Sequence, residues 1–260
     1  MHRSNRSLFA LTALSLIGLA AAPPANAGGN TFITNFAKNG NLHSNLNAQY
    51  PSDGIFSPGV FGGVSFDITA NGIGNDFAGI TNGAPANISV GVYGVTDVYT
   101  LINGFAPTAN QTGATVTFTG SAGATQTFTL VNGTDVRDFY QGNFANTING
   151  TTTQQVLSVM DQGGANTGPT PQTSSANSGS NGTYVMDAQH FTLNSAFATQ
   201  TLTGFTVSNG SGSLGNILTA VTVASPVPEA SSVVSLGLLL ALGLGGIAVA
   251  RRRKASASAE

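Results

Sequence analysis

The chain has no cysteine and no tryptophan, and only 7% of its 260 residues are charged. Without cysteine there is neither a disulfide framework nor a thiolate metal site, so a folded domain here is held by buried apolar surface alone. Between Gly28 and Ser225 the shortage of charge is sharper. Lys38 and Arg137 are the only cations, against eight aspartates and no glutamate, a balance of −6 that the whole-chain value of −2 hides. Two cations cannot neutralise a run of phosphates, which excludes nucleic acid as a partner. Walker, HExxH, nucleophile-elbow and CxxC patterns are all missing, and His43 and His190 are the only histidines of this stretch. No metal site is expected from them.

Helical periodicity is missing too, and strand signals take its place. Thr115-Val-Thr-Phe-Thr119 and Thr127-Phe-Thr-Leu130 alternate strictly around the glycine loop Gly120–Ala124. Threonines then line one face and apolar residues the other, which predicts a hairpin with one wet face. Further strands are expected at Val64–Ile68, Ile88–Tyr93, Val98–Ile102, Val136–Tyr140, Val156–Met160, Tyr184–Phe191, Leu202–Val207 and Ile217–Val223. Gly, Asn and Pro clusters separate them. Many short strands at modest spacing predict an all-β fold, a single antiparallel β-sandwich, jelly-roll-like in topology. Gly210-Ser-Gly-Ser-Leu-Gly215 matches a dinucleotide fingerprint, but a strand rather than a helix follows it, so it reads as a turn.

One stretch stands apart. Residues 162–182 contain no large apolar side chain, so they have little to offset their own ordering entropy and are expected to form a flexible surface insertion.

The two ends of the chain carry different signals. Arg3 and Arg6, the apolar run Leu8–Ala22, and Ala25-Asn26-Ala27 have the form of a secretory signal peptide over residues 1–27 with cleavage after Ala27. At the other end, Val227-Pro228-Glu229 precedes an apolar run over 233–250, then Arg251, Arg252, Arg253 and Lys254, then a tail at 255–260. Eighteen residues of helix reach ~27 Å, enough for a hydrocarbon core, and the basic quartet acts as a membrane stop on the cytoplasmic side. Residues 28–225 are left as the exported domain.

The segment 226–254 resembles the PEP-CTERM sorting signal of Gram-negative, exopolysaccharide-producing bacteria. Val227, Pro228 and Glu229 match its motif, and Ala230 stands where a second proline is usual. Gly237, Gly243, Gly245 and Gly246 fit its glycine-rich helix. The resemblance implies an exosortase as partner, anchorage in the inner membrane by the C-terminal helix, and then transfer to the cell surface or extracellular matrix. More faintly, Gly94–Asn103, the threonine hairpin and Asp135–Asp138 are similar in order to galactose-binding-like sandwiches of bacterial surface proteins. That similarity implies a sandwich and a glycan ligand.

Within the domain, Asp135-Val-Arg137-Asp138 is the site of the sole arginine. Arg137 with Asp138 is the candidate ligand site, a bidentate guanidinium for a sugar or carboxylate; a structural ion pair tying a strand end is the reading expected in its place. Asp135 and Asp138, and likewise Asp187 and His190, are three apart on expected strands and should face opposite ways, so neither is a natural catalytic pair. Tyr93, Tyr99, Tyr140 and Tyr184 are candidates for stacking on sugars, although core packing is expected for most of them. No cofactor is expected; a structural calcium is compatible with aspartates and loop carbonyls as ligands. The reading is a non-catalytic surface or matrix protein with exopolysaccharide as its candidate ligand. A secreted polysaccharide-active hydrolase and a purely structural surface protein are the alternatives.

Overall fold

The computed structural model describes residues 29–42, 50–51, 54–68, 76–141, 144–160 and 183–226. The expected signal peptide, the insertion at 162–182, the sorting motif and the helix at 233–250 lie outside these residues. Among the described residues no helix is long and apolar enough to cross a membrane.

The described chain is mostly antiparallel β-sheet with almost no helix. Its strands are β1 (Gly29–Ile33), β2 (Ile55–Phe56), β3 (Phe66–Asp67), β4 (Ala78–Ile80), β5 (Ala86–Tyr93), β6 (Asp97–Phe105), β7 (Thr112–Gly120), β8 (Thr125–Val131), β9 (Tyr140–Gln141), β10 (Thr153–Met160), β11 (Thr183–Thr192), β12 (Thr201–Asn209) and β13 (Gly215–Ser225). A short 3-10 turn at Ser195–Thr199 joins β11 to β12. The large sheet runs β1-β13-β6-β11-β10, with β4 beside β13 and β9 beside β11; the small sheet runs β5-β12-β7-β8. Strands β5 to β6, β6 to β7, β11 to β12 and β12 to β13 each cross from one sheet to the other.

Between the sheets lies one core, with Val98, Ile102, Leu218 and Val221 from the large sheet against Ile88, Val116, Phe118, Phe205 and Val207 from the small one. Phe118 packs on Phe128, Phe191 and Phe205 at ring separations of 5.1–5.9 Å. The threonine hairpin is present as β7 and β8, with Thr117 opposite Thr127 and Val116 opposite Phe128. Its alternation follows from the pleat, which sends successive side chains to opposite faces.

The large sheet departs from the pattern of one wet face. Its far side carries a second core, in which Leu42, Tyr50, Val60, Val64, Phe66, Ile68 and Phe77 cover Tyr99, Leu101, Met186 and Ile217. Central strands β6, β11 and β13 are therefore buried almost continuously, which is why Ile217–Val223 carries no charged or large polar side chain on either face. The covering chain is largely irregular: within the expected strand Val64–Ile68 only Phe66–Asp67 pairs, with Ile55–Phe56. The Thr222 hydroxyl ties it to the sheet by donating to the Ser65 carbonyl (2.7 Å).

The Gly210–Gly215 segment is the β12–β13 turn. Gly210 N–H donates to the Gly113 carbonyl (2.8 Å) and Gly212 N–H to the Thr112 carbonyl (3.0 Å). A Cβ at Gly210 would collide with that Thr112 carbonyl, so close backbone approach accounts for the glycine.

Candidate functional site

Arg137 is fully buried. Expected on a strand spanning Val136–Tyr140, it sits instead in a segment that pairs in regular register only at Tyr140–Gln141. That segment is a wedge. Strands β6 and β11 pair from Thr192–Asp97 to Ala188–Leu101 and then part, and residues 137–139 fill the gap. Gly104 N–H donates to the Arg137 carbonyl (2.8 Å), Phe139 N–H to the Gly104 carbonyl (3.1 Å), and Val185 N–H to the Phe139 carbonyl (2.8 Å).

Side chains complete the ladder where the strands separate. The Gln189 amide acts as a substitute peptide: its oxygen accepts from Ile102 N–H (2.9 Å) and its nitrogen donates to the Ile102 carbonyl (2.8 Å). Asn103 does the same for β11, accepting from Asp187 N–H (3.0 Å) and donating to its carboxylate (2.8 Å). Backbone groups in a buried gap need such partners, since leaving one unmade costs about 1–3 kcal/mol. Arg137 then closes the network with a bidentate fork on Asp187, Nε to Oδ2 at 2.9 Å and Nη2 to Oδ1 at 2.7 Å, while Nη2 also donates to Gln155. Arg137 and Asp187 are 50 residues apart, and both side chains are wholly enclosed. The carboxylates near Arg137 in sequence have other roles. Asp135 accepts from Val131 N–H (2.9 Å) and Asn149 (3.0 Å). Asp138 is 4% exposed; burial, only partly offset by backbone N–H donors, pushes its carboxyl up to about 6.

Asp187 and His190 do face opposite ways. His190 Nε2 lies 2.7 Å from Asp97 Oδ1, and its ring stacks on Tyr99 (4.6 Å, 12°) with Phe61 alongside. Burial favours the neutral Asp97 carboxyl, but hydrogen bonds from His190, Thr96 and Thr192 outweigh it and hold the group below its ordinary value. Burial and the nearby Asp97 push the Tyr99 phenol up to about 12. Of the other tyrosines, Tyr140 and Tyr184 pack against each other (4.8 Å) and Tyr184 against Phe139. Tyr93 alone among these four is largely exposed, at 64%.

The outward face of the small sheet was not singled out from the sequence beyond its hairpin. Strand pairing sets its residues in rows: Asn87, Thr206, Thr117, Thr127; then Ser89, Gly204, Thr119, Thr125; then Ser208, Thr115, Thr129. Strand and residue spacing put neighbours ~4.8 Å apart across strands and ~6.8 Å apart along them. Thr117 and Thr127 hydroxyls lie 3.0 Å apart, and Thr206 donates to Asn87 (2.9 Å). A bulge at Gly91 (φ 74°) and Thr203 shifts the register near Tyr93, which pairs with Thr201 on this face. A shallow recess at the bulge is lined by Asn87, Ser89, Thr119, Thr203 and Thr206. No charged residue is in these rows. The missed signal was the alternation of β5, unbroken from Asn87 to Tyr93, and that of β12, interrupted at Thr203.

Both cations of the domain are buried: Arg137 as described, and Lys38 at 6% exposure, its ammonium 4.8 Å from the Phe36 ring centre. Among the described residues no three His, Asp or Glu side chains group closely enough to hold a metal ion. No family model matches the chain, and neither a curated protein nor a solved structure is found to match it.

Proposed function

We propose that this chain is an exported cell-surface or extracellular-matrix protein, sorted by an exosortase through Val227-Pro228-Glu229 and its C-terminal helix, and that residues 28–225 form a non-catalytic, glycan-binding jelly roll. The strand order supports the topology, since β1-β13-β6-β11 opposite β5-β12-β7-β8, with successive strands crossing between sheets, is the order two interlocked Greek keys produce.

The observation that carries the non-catalytic reading is the employment of the carboxylates. Glycoside hydrolysis needs two carboxyl groups flanking one scissile bond. Among the described residues Asp187 holds Arg137, Asp97 holds His190, Asp135 caps the Val131 and Asn149 donors, Asp76 accepts from Leu42 N–H, and the enclosed Asp138 accepts from Tyr140 N–H. Each is spent on the scaffold, on a different element.

A glycan array with the host's own exopolysaccharide, run with and without calcium, tests the reading. Binding without release of reducing ends is the expected result. Appearance of reducing ends would establish a hydrolase instead, and binding to nothing would leave a purely structural protein.

A further inference from the structure

We propose that the outward face of the small sheet, β5-β12-β7-β8 with Tyr93 at its corner, is the glycan platform, and that its ligand class is neutral polysaccharide. This inference rests on the glycan-binding reading above and adds to it a place and a chemistry.

Three observations lead there. The large sheet is covered on both sides, by the small sheet and by Leu42, Tyr50, Val60, Val64, Phe66, Ile68 and Phe77, so the fold turns one broad sheet face outward among the described residues. That face is a registered array of threonine, serine and asparagine without a charge. Each hydroxyl is both donor and acceptor, which matches the hydroxyls of a sugar chain, and the threonine methyls between them suit the C–H faces of the rings. Tyr93, 64% exposed, adds an aromatic ring on the same side. At ~3.3 Å per residue it stands about 13 Å along β5 from the Ser89 recess.

Charge decides the class. An acidic polysaccharide needs arginine or lysine for charge-assisted contacts, and Lys38 and Arg137 are both buried. The domain's net charge of −6 opposes anionic polymers further. A protein partner would be met with a core of aromatic or apolar anchors, whereas these rows offer hydroxyls and one ring. A neutral glycan is what remains complementary.

The test uses the full-length chain in mild detergent against dextran, a β-1,3-glucan and a galactomannan as neutral probes, with alginate as the acidic one. At least one neutral polysaccharide should bind, with an affinity indifferent to salt, and alginate should not. Tyr93→Ala, and separately Thr127→Glu, should weaken that binding by about tenfold or more, the scale of losing one ring contact or of setting an unpaired charge against the ligand. Both residues lie exposed on edge strands, so melting temperatures should match the parent's. Undiminished binding in both variants would overturn the placement while leaving a glycan-binding protein. Salt-sensitive binding to alginate would overturn the neutral class. Failure of all four probes would remove the underlying glycan reading itself.

Discussion

Arg137 and Asp187 form a buried pair in which each charge depends on the other. Replacing Arg137 with alanine leaves a carboxylate enclosed without its cation, and the loss expected from such a broken pair is about 3–5 kcal/mol. A thermal or urea melt of Arg137→Ala should show it, and Arg137→Lys should recover only part, because an ammonium cannot reproduce the bidentate fork. A melting temperature unchanged by Arg137→Ala would contradict a structural role for the pair. Asp138 works in the opposite sense. Its folded pKa of about 6 exceeds the ~3.9 of an exposed aspartate, so between these values the folded chain binds the proton more tightly. Stability should therefore rise as the pH falls from 7 towards 4. Asp97, held low, contributes stability that is lost only as the pH drops further, below 3.8 and through its folded value. Asp138→Asn should gain roughly 1–3 kcal/mol at pH 7 and flatten the slope between pH 4 and 6. Melts of both proteins across that range would check it, and an unaltered slope would place the titration elsewhere.

At the level of elements, β10 and β11 pair from Thr153–Gln189 to Met160–Thr183, with one bulge near Val156. The chain entering and leaving 162–182 is thus already joined by a hairpin ladder. Those residues carry no large apolar group to contribute to either core. Deleting Gly164–Asn181 should shift the melting temperature by no more than a degree or two, since shortening a loop changes closure entropy only slowly. A large drop would mean that the segment packs on the domain. Elsewhere, element legibility followed burial. The half-wet strands β7 and β8 are plain from their alternation, and β13 from the β-branched residues within Ile217–Val223. The wedge at 136–140 reads as a strand in the sequence because Val136, Phe139 and Tyr140 are β-branched or aromatic; it is irregular because it must pair with Gly104 on one side and Val185 on the other while admitting Arg137 between diverging strands.

On the scale of the whole molecule, two cores sandwich the large sheet, and the small sheet presents the outer surface. The proposed sorting implies a further step for the intact chain. In a Gram-negative host with its exosortase, mass spectrometry of the mature protein should find an N-terminus at Gly28 and a C-terminus near the Pro228-Glu229 motif. Without the exosortase, the residues through Glu260 should be retained. An intact C-terminus in both hosts would leave a plain anchor in place of a sorting signal.

Sequence alone determined the all-β character, the hairpin with its threonine face, the identity of Gly210–Gly215 as a turn, and the scarcity of cations. Each depends on local periodicity or composition, and a pleat with period two imposes itself on any strand with one wet side. What needed the tertiary structure was every relation between distant residues. The pairing of Arg137 with Asp187 rather than with Asp135 or Asp138, and the second core over the large sheet, arise from packing between segments far apart in the chain. The same holds for the alignment of Asn87, Thr206, Thr117 and Thr127 into one row. No local pattern encodes a register between β5 and β12, because register is set when buried faces of both strands meet the same core. The burial of both cations, which selects a neutral ligand, likewise depends on where the fold encloses them.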